Sequence, residues 1–424
     1  MRHLDIFSFS QHRARAKKGM SLVSNYKRIV ALTVLVLLLL WVGVIGKKAA
    51  EKKLLVWFPT YLKWEARAGD SSVPPAQTID IMFLCTDHFE PLKVEKVRKW
   101  FDAYPQMARK HHDADGRLPQ HTWFYPSEQF NLEKLELLAG LSAMGMGEIE
   151  LHLHHDHDTS EGLREKLQKA KDDFRRVGAL ETVNGIEAFA FIHGNWALDD
   201  SIQHTDTRNP CGVTDELIIL REEGCFADFT FPSWGFESQP RQVNSIYYAI
   251  DDPQKPKSYD TGIPVAVGAR PKADLLVFEG PLSINFRHLK HHEFPYYYPL
   301  VENGEITDKN PPLPFRVDEW VRVGIHVEGR PEWIFVKTYA HGATDDAMRA
   351  FLGGQWDEMH SYLEKKYNDG KKYRLHYVTA REAYNIVKAA EAGKTGNPND
   401  YRDFVIPPYK TSQGEMSHVS DPAP

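Results

Sequence analysis

Beyond residue 78 the chain alternates two hydrophobic patterns. Short, nearly continuous apolar runs occupy 79–85, 121–125, 187–192, 225–231, 332–339 and 373–378. Between them lie longer segments in which apolar residues recur every three or four positions. The first pattern suits strands covered on both faces, the second helices with one buried stripe. The segment at 161–177 is typical, with Leu163, Leu167, Ala170, Phe174 and Val177 on one side and Gly178 as a stop. Helices are expected at 92–110, 131–144, 161–177, 214–223, 316–323, 344–366 and 380–392. The region 239–312 is less regular; its apolar runs at 245–250, 263–267 and 275–278 read as a local sheet or lid. Seven or eight strand–helix units in succession predict a parallel α/β architecture closed into a barrel.

A different pattern precedes this domain. Residues 29–46 are uncharged and rich in Leu and Val, long enough at about 1.5 Å per residue to cross most of a hydrocarbon core. Arg13, Arg15, Lys17, Lys18, Lys27 and Arg28 precede the run, and Lys47, Lys48, Lys52 and Lys53 follow it. The basic N-terminal flank predicts a cytoplasmic tail at 1–28 and an uncleaved single-pass anchor at 29–46. Trp57, Phe58, Tyr61 and Trp64 suit an aromatic collar at the outer interface, within an interfacial segment and linker spanning 47–77. The domain at 78–392 is then expected outside the cytoplasm, which in a bacterial cell means an inner-membrane anchor with the domain facing the periplasm. The Pro-, Ser- and Gly-containing stretch 393–424 reads as a flexible tail.

Composition removes some functions. In 424 residues the net charge is −6, with no basic stripe of the kind nucleic acid requires. The three cysteines, Cys85, Cys211 and Cys225, form no CxxC pair, although Cys211 and Cys225 are available for a disulfide in an oxidising compartment. There is no GxSxG elbow, P-loop or GxGxxG after a strand, so serine hydrolases, NTPases and dinucleotide enzymes have no support.

The chemistry concentrates at Gly147-Glu148-Ile149-Glu150-Leu151-His152-Leu153-His154-His155-Asp156-His157-Asp158. Ile149, Leu151 and Leu153 alternate with Glu150, His152 and His154, so His152 and His154 leave one side of a strand. Two imidazoles so placed can close on one metal ion. Other polar residues also fall where strands end: Asp87 and His88, His193 and Asn195, and His341. In a barrel these ends form one surface. One oxygen ligand with two or three imidazoles suits Zn²⁺, and also Co²⁺ or Mn²⁺. An ion with an open position activates water for hydrolysis, with a carboxylate as base and an imidazolium as acid. Asp87 fits the base or a ligand role, and His341 the acid.

These residues resemble the polysaccharide deacetylase superfamily over about 78–392. Cys85-Thr86-Asp87-His88 is similar to that family's Thr-Phe-Asp-Asp, and Glu148-Ile149-Glu150-Leu151-His152 to the start of its metal-histidine motif. The strand ending at His341 and the segment Val378-Thr379-Ala380-Arg381-Glu382 resemble its late motifs. The family's Arg-x-Pro motif is absent; Phe191-Ile192-His193-Gly194-Asn195-Trp196 stands in its place. The resemblance implies a distorted (β/α)7-type barrel that removes acetyl groups from glycans. It implies Asp87 as catalytic base, His341 as acid, and a metal held by His152 with ligands among His88, His154 and His157; His155 and Asp156 compete for the second position. His193, Asn195, Trp196 and Trp234 are candidates for substrate binding, as are the aromatic stretches 229–236 and 294–298. The implied partners are an acetylated glycan, the membrane, and proteins of polysaccharide assembly. Two alternatives use the same residues. The His152-x-His154 pair also resembles the opening motif of metal phosphoesterase and amidohydrolase barrels, although those place it on the first strand. A barrel that binds glycan without catalysis is the other.

Overall fold

The computed structural model describes residues 30–44, 46–47, 49–68, 77–205, 208–291 and 297–413. The expected cytoplasmic tail, most of the linker at 69–76, positions 294–296 of the second aromatic stretch and the end of the C-terminal tail lie outside them. The chain divides into two units, Met1–Leu55 and Val56–Pro424. In the first, helix α1 (Val30–Glu51) has a mean hydropathy of 2.4 over its most apolar window, long and apolar enough to cross a membrane.

The second unit begins within α2 (Leu54–Ala68). Here the expected collar needs correcting. Trp57 and Tyr61 are buried, and Tyr61 accepts a hydrogen bond from the Ile284 N–H. These rings turn to the protein because the helix lays that face on the domain.

The domain then runs β1 (Ile79–His88), α3 (Val94–Ala108), β2 (His121–Pro126), α4 (Leu132–Ala143), β3 (Gly147–Leu153), α5 (Ser160–Arg175), the β4–β5 hairpin (Glu181–Val183, Ile186–His193), α6 (Glu216–Glu222) and β6 (Cys225–Asp228). It continues through β7 (Ile246–Ala249), β8 (Ile263–Pro264), β9 (Leu275–Phe278), β10 (Ser283–His291), β11 (Tyr297–Glu302), α7 (Pro314–Val323), β12 (Ile325–His326) and β13 (Trp333–Ala340). The last elements are α8 (Asp345–Leu352), α9 (Gln355–Tyr367), β14 (Tyr373–Tyr377) and α10 (Ala380–Glu391).

The result is a mixed α/β fold around a large parallel sheet. Strands β13, β1, β2, β3, β5, β6 and β9 form one parallel row. Strand β14 pairs with the first half of β1, Ile79 to Phe83, and β2 with the second, Cys85 to His88. Among the described residues no ladder joins β9 to β13; beyond β8 and β12 the two ends of the sheet meet through an isolated parallel bridge, in which the Glu328 N–H donates to Val265 and the Val267 N–H to Glu328. Between β9 and β13 themselves a side chain spans the opening: the buried Lys337 ammonium of β13 donates to the carbonyls of Phe229, Phe231 and Phe278.

Strand alternation sorts the residues into two cores. Phe83, Cys85, Ile149, Leu151, Phe189, Phe191 and Val336 pack with helix residues such as Val97, Leu135, Leu163 and Phe351. Met82, Leu84, Phe124, Ala190, Ile192, Phe278 and Phe335 face one another inside the curved sheet. Removing one of these large side chains costs about 2–5 kcal/mol.

Three expected boundaries change. The helix expected at 344–366 is two, divided at Gly353-Gly354. Strand β9, expected in a lid, extends the parallel row, while β7 and β8 continue from it antiparallel. The tail expected from 393 is packed as far as Thr411: Asn385 donates to the carbonyls of Arg402 and Ile406, and Tyr409 donates to Glu150. Its Pro and Asn residues serve short turns rather than disorder.

Candidate metal centre

The inner face of the parallel row carries four histidines at its C-terminal end. His152 and His154 leave β3 on the same side, as alternation requires, and His88 ends β1. His341 follows β13, paired with β1 so that Asp87 faces Ala340. The His88 and His341 rings stack with centroids 4.7 Å apart. His88 meets His152 at 5.2 Å, and His152 meets His154 at 4.7 Å.

Glu90 joins the four. Its Oε1 is 3.4 Å from His152 Nε2, and its Oε2 is 3.7 Å from His154 Nε2. Donor atoms of His88, Glu90 and His341 lie within 4.8 Å of one another, and so do those of Glu90, His152 and His154. Glu90 is therefore common to both triads.

The donor set fits a divalent transition ion. His152 is fully buried, yet neither ring nitrogen has a hydrogen-bond partner, and His88 Nδ1 has none. Buried polar atoms left in this way are costly, and a ligand role is a standard reason for them. Burial holds His88 and His152 well below the usual imidazole range, and the neighbouring histidines reinforce it. Neutral imidazoles are the form that binds metal. Burial also lowers His341, against an opposing pull from Asp87. For His154 burial is outweighed by Glu128, and the net shift is upward. Burial raises Glu90, with His154 opposing.

Outer contacts hold the ring of His154. Its Nδ1 lies 2.6 Å from Glu128 Oε1, leaving Nε2 turned toward Glu90. Gly194, just past β5, packs against this ring so closely that a Cβ there would collide with it.

Trp196 forms a wall. It holds a left-handed backbone at φ 55, a conformation costing a non-glycine residue about 1–3 kcal/mol. Its ring lies 5.9 Å from His341, 6.0 Å from His88 and 4.7 Å from the half-exposed Phe236, measured between centroids.

Several expected residues stand elsewhere. Asp87 is fully buried on the helix-facing side of β1, not beside His88. Its Oδ1 accepts the Gly342 N–H at 2.6 Å, and its Oδ2 is 2.9 Å from His121 Nε2. With both oxygens engaged on that side, neither a base nor a ligand role at the cluster fits it. His157 is exposed on the loop after β3, next to Asp156 at 3.5 Å, because the chain turns left-handed there, at φ 48. His193 ends β5 on the helix-facing side with His155, away from the four rings. Asn195 ties loops together, donating to the His155 and Pro210 carbonyls. Trp234 is half-buried in the loop after β6. Cys211 and Cys225 are buried free thiols.

Glu90 and Glu128 were not among the expected site residues. Glu90 had a signal, since two residues past His88 is the same side of an extended chain. Glu128 lies in a short turn after β2 whose direction no local pattern indicates. At the opposite ends of the strands, a cavity of about 1070 Å³ is lined by Ile79, Ser245, Ile334 and Tyr373, among others. The histidine cluster and this cavity thus occupy different ends of the sheet.

No protein-family profile matches the chain, and no curated protein matches it. Among solved structures, the chain is similar to a 4-alpha-glucanotransferase from Thermococcus litoralis, with a TM-score of 0.36 and 11% identity over 71% of this chain. The match spans 39% of the glucanotransferase, well under two thirds of its length.

Proposed function

We propose that the chain is a metal-dependent hydrolase of the carbohydrate deacetylase type, built on a distorted (β/α)7-type barrel and held at a membrane by α1 as a single-pass anchor. Its substrate is an acetylated sugar of a polysaccharide or peptidoglycan, and its ion is zinc, with cobalt or manganese as substitutes. The observation that carries this reading is the convergence of His88, Glu90, His152, His154 and His341 at the C-terminal end of one parallel sheet.

His88, His152, His154 and Glu90 would hold the ion. Such an ion supplies Lewis acidity toward a carbonyl oxygen and makes water acidic enough to furnish hydroxide near neutral pH. Glu128 fixes the orientation of His154. His341, stacked on His88 and kept below the usual imidazole range by burial, would take up the proton that water releases and pass it to the departing amine. Trp196 and Phe236 offer apolar faces for a sugar ring and keep bulk water from one side of the cluster.

The test is acetate release from an N-acetylglucosamine oligomer by the full-length chain in detergent with zinc. Release that disappears in His152→Ala supports the proposal. Release of phosphate from a generic ester without release of acetate would replace it with the phosphoesterase reading. Neither product, from a protein whose metal content His152→Ala leaves unchanged, would leave the glycan-binding barrel.

A further inference from the structure

On the other side of β3 and β5 a second set of donor groups is sealed from water. His155 follows β3, His193 ends β5, Cys211 lies in the loop before α6, and Glu216 opens α6. All four are buried, and one donor atom from each lies within 4.8 Å of the other three. Glu216 is the centre of the group. Its Oε1 is 3.1 Å from His155 Nε2 and 3.9 Å from His193 Nε2, and its Oε2 is 3.5 Å from Cys211 Sγ.

Two contacts make this more than a buried ion pair. His193 Nε2 has no hydrogen-bond partner, although the residue is fully buried. The outer nitrogen of His155, Nδ1, stands 3.2 Å from Asp158 Oδ2, while its inner nitrogen faces Glu216. A carboxylate behind the outer nitrogen is the arrangement that orients metal-bound histidines. An imidazolium between Glu216 and Asp158 would account for His155 alone. It gives no partner to His193 Nε2, and it leaves the Cys211 thiol with only long contacts to Val213 and Glu216.

We propose that His155, His193, Cys211 and Glu216 form a second site, structural rather than catalytic, for a divalent ion of the zinc class. Two nitrogens, one sulfur and one oxygen are a four-ligand set that zinc or cobalt accepts, and a set without solvent access leaves no position for substrate. Binding sends two protons to solvent, from the Cys211 thiol and from His155 Nε2. His193 keeps its single proton but moves it from Nε2 to Nδ1. That gives up two long contacts in which Nδ1 accepts the N–H groups of Asn195 and Ala197 at 3.2 and 3.4 Å. The ion ties the loop bearing Trp196 to α6, and so supports a wall of the first cluster from behind. The proposal does not depend on the hydrolase reading.

Cobalt substitution of the full-length chain tests it, because a thiolate bound to cobalt gives an intense near-ultraviolet charge-transfer band. The first cluster contains no thiol and cannot produce that band. The expected result is two ions per chain with the band present. Cys211→Ser should lose the band and one ion, and His152→Ala should lose the other ion and keep the band. A wild-type cobalt protein without the band would overturn the proposal, as would a band that persists in Cys211→Ser. If Cys211→Ser fails to fold, the wild-type spectrum and the ion count of His193→Gln, expected to fall by one, still decide the question.

Discussion

Asp87 and His88 are neighbours in the chain and work on opposite faces of the same strand. The Asp87 carboxylate holds the Gly342 N–H and His121 under the helices, while the His88 ring stacks on His341 at 4.7 Å inside the sheet. A carboxylate and an imidazole that look like one motif thus serve different purposes.

The two substitutions should therefore separate. Asp87→Asn should leave the metal content of the first cluster intact while lowering stability by about 1–3 kcal/mol, the usual cost of impairing a buried acceptor. His88→Ala should weaken metal binding. Gly342→Ala should behave like the Asp87 variant, because its new Cβ would overlap the Asp87 carboxylate. Denaturant titration beside metal analysis of each purified variant checks all three.

Glu128 acts through His154. Glu128→Gln keeps the size of the side chain but removes the charge facing Nδ1 at 2.6 Å. Metal affinity at the first cluster should fall about 10- to 100-fold, read by competition with a chelator. Unchanged affinity would mean that the carboxylate only tethers a loop.

Lys337 takes the place of strand pairing between β9 and β13. Lys337→Met removes the ammonium donor from the carbonyls of Phe229, Phe231 and Phe278, of which Phe231 keeps the Gly280 N–H. It also leaves Asp228, whose carboxyl burial already raises, without a nearby cation. The expected cost is about 3–5 kcal/mol, measured by thermal or denaturant unfolding. A loss below about 1 kcal/mol, the scale of an exposed pair, would show that the seam is held by its apolar contacts instead.

Much of this molecule was legible in the sequence, for identifiable reasons. The apolar runs at β1, β5 and β13 are pure enough to mark buried strands, and period-2 alternation marks β3 and puts His152 and His154 on one side. The same rule, carried through Asp87, His88 and Glu90, separates the first from the other two; the resemblance to a deacetylase motif pulled Asp87 toward the site against it. His155 and His193 were hidden differently, since each looks like a further member of the first cluster until the facing helix α6 supplies Glu216. The role of Lys337 depends on three carbonyls far away in the chain. The packed segment at 398–411 has tail-like composition because short turns and loops use the same residues.

His376 gives a pH dependence away from both clusters. Its Nδ1 is 2.6 Å from Asp115 Oδ2, and its Nε2 is 2.9 Å from Asp80 Oδ1. Burial alone would lower this imidazole, but the two carboxylates outweigh it and the net shift is upward. A group whose folded value is raised stabilises the protein fully below its unfolded value, about 6.5, and loses that contribution as pH rises through the folded value. The stability difference between wild type and His376→Gln should therefore be largest in mild acid and shrink above neutrality. A difference that grows with pH would contradict the assignment.

The central claim is that His88, Glu90, His152 and His154 hold a metal ion. Anomalous diffraction at the zinc edge from zinc-loaded crystals of the full-length chain tests it most directly. A peak within bonding distance of His152, His154 and Glu90 is the predicted result. Zinc-loaded crystals with no peak among these residues, and with His152 making ordinary hydrogen bonds to water, would contradict it.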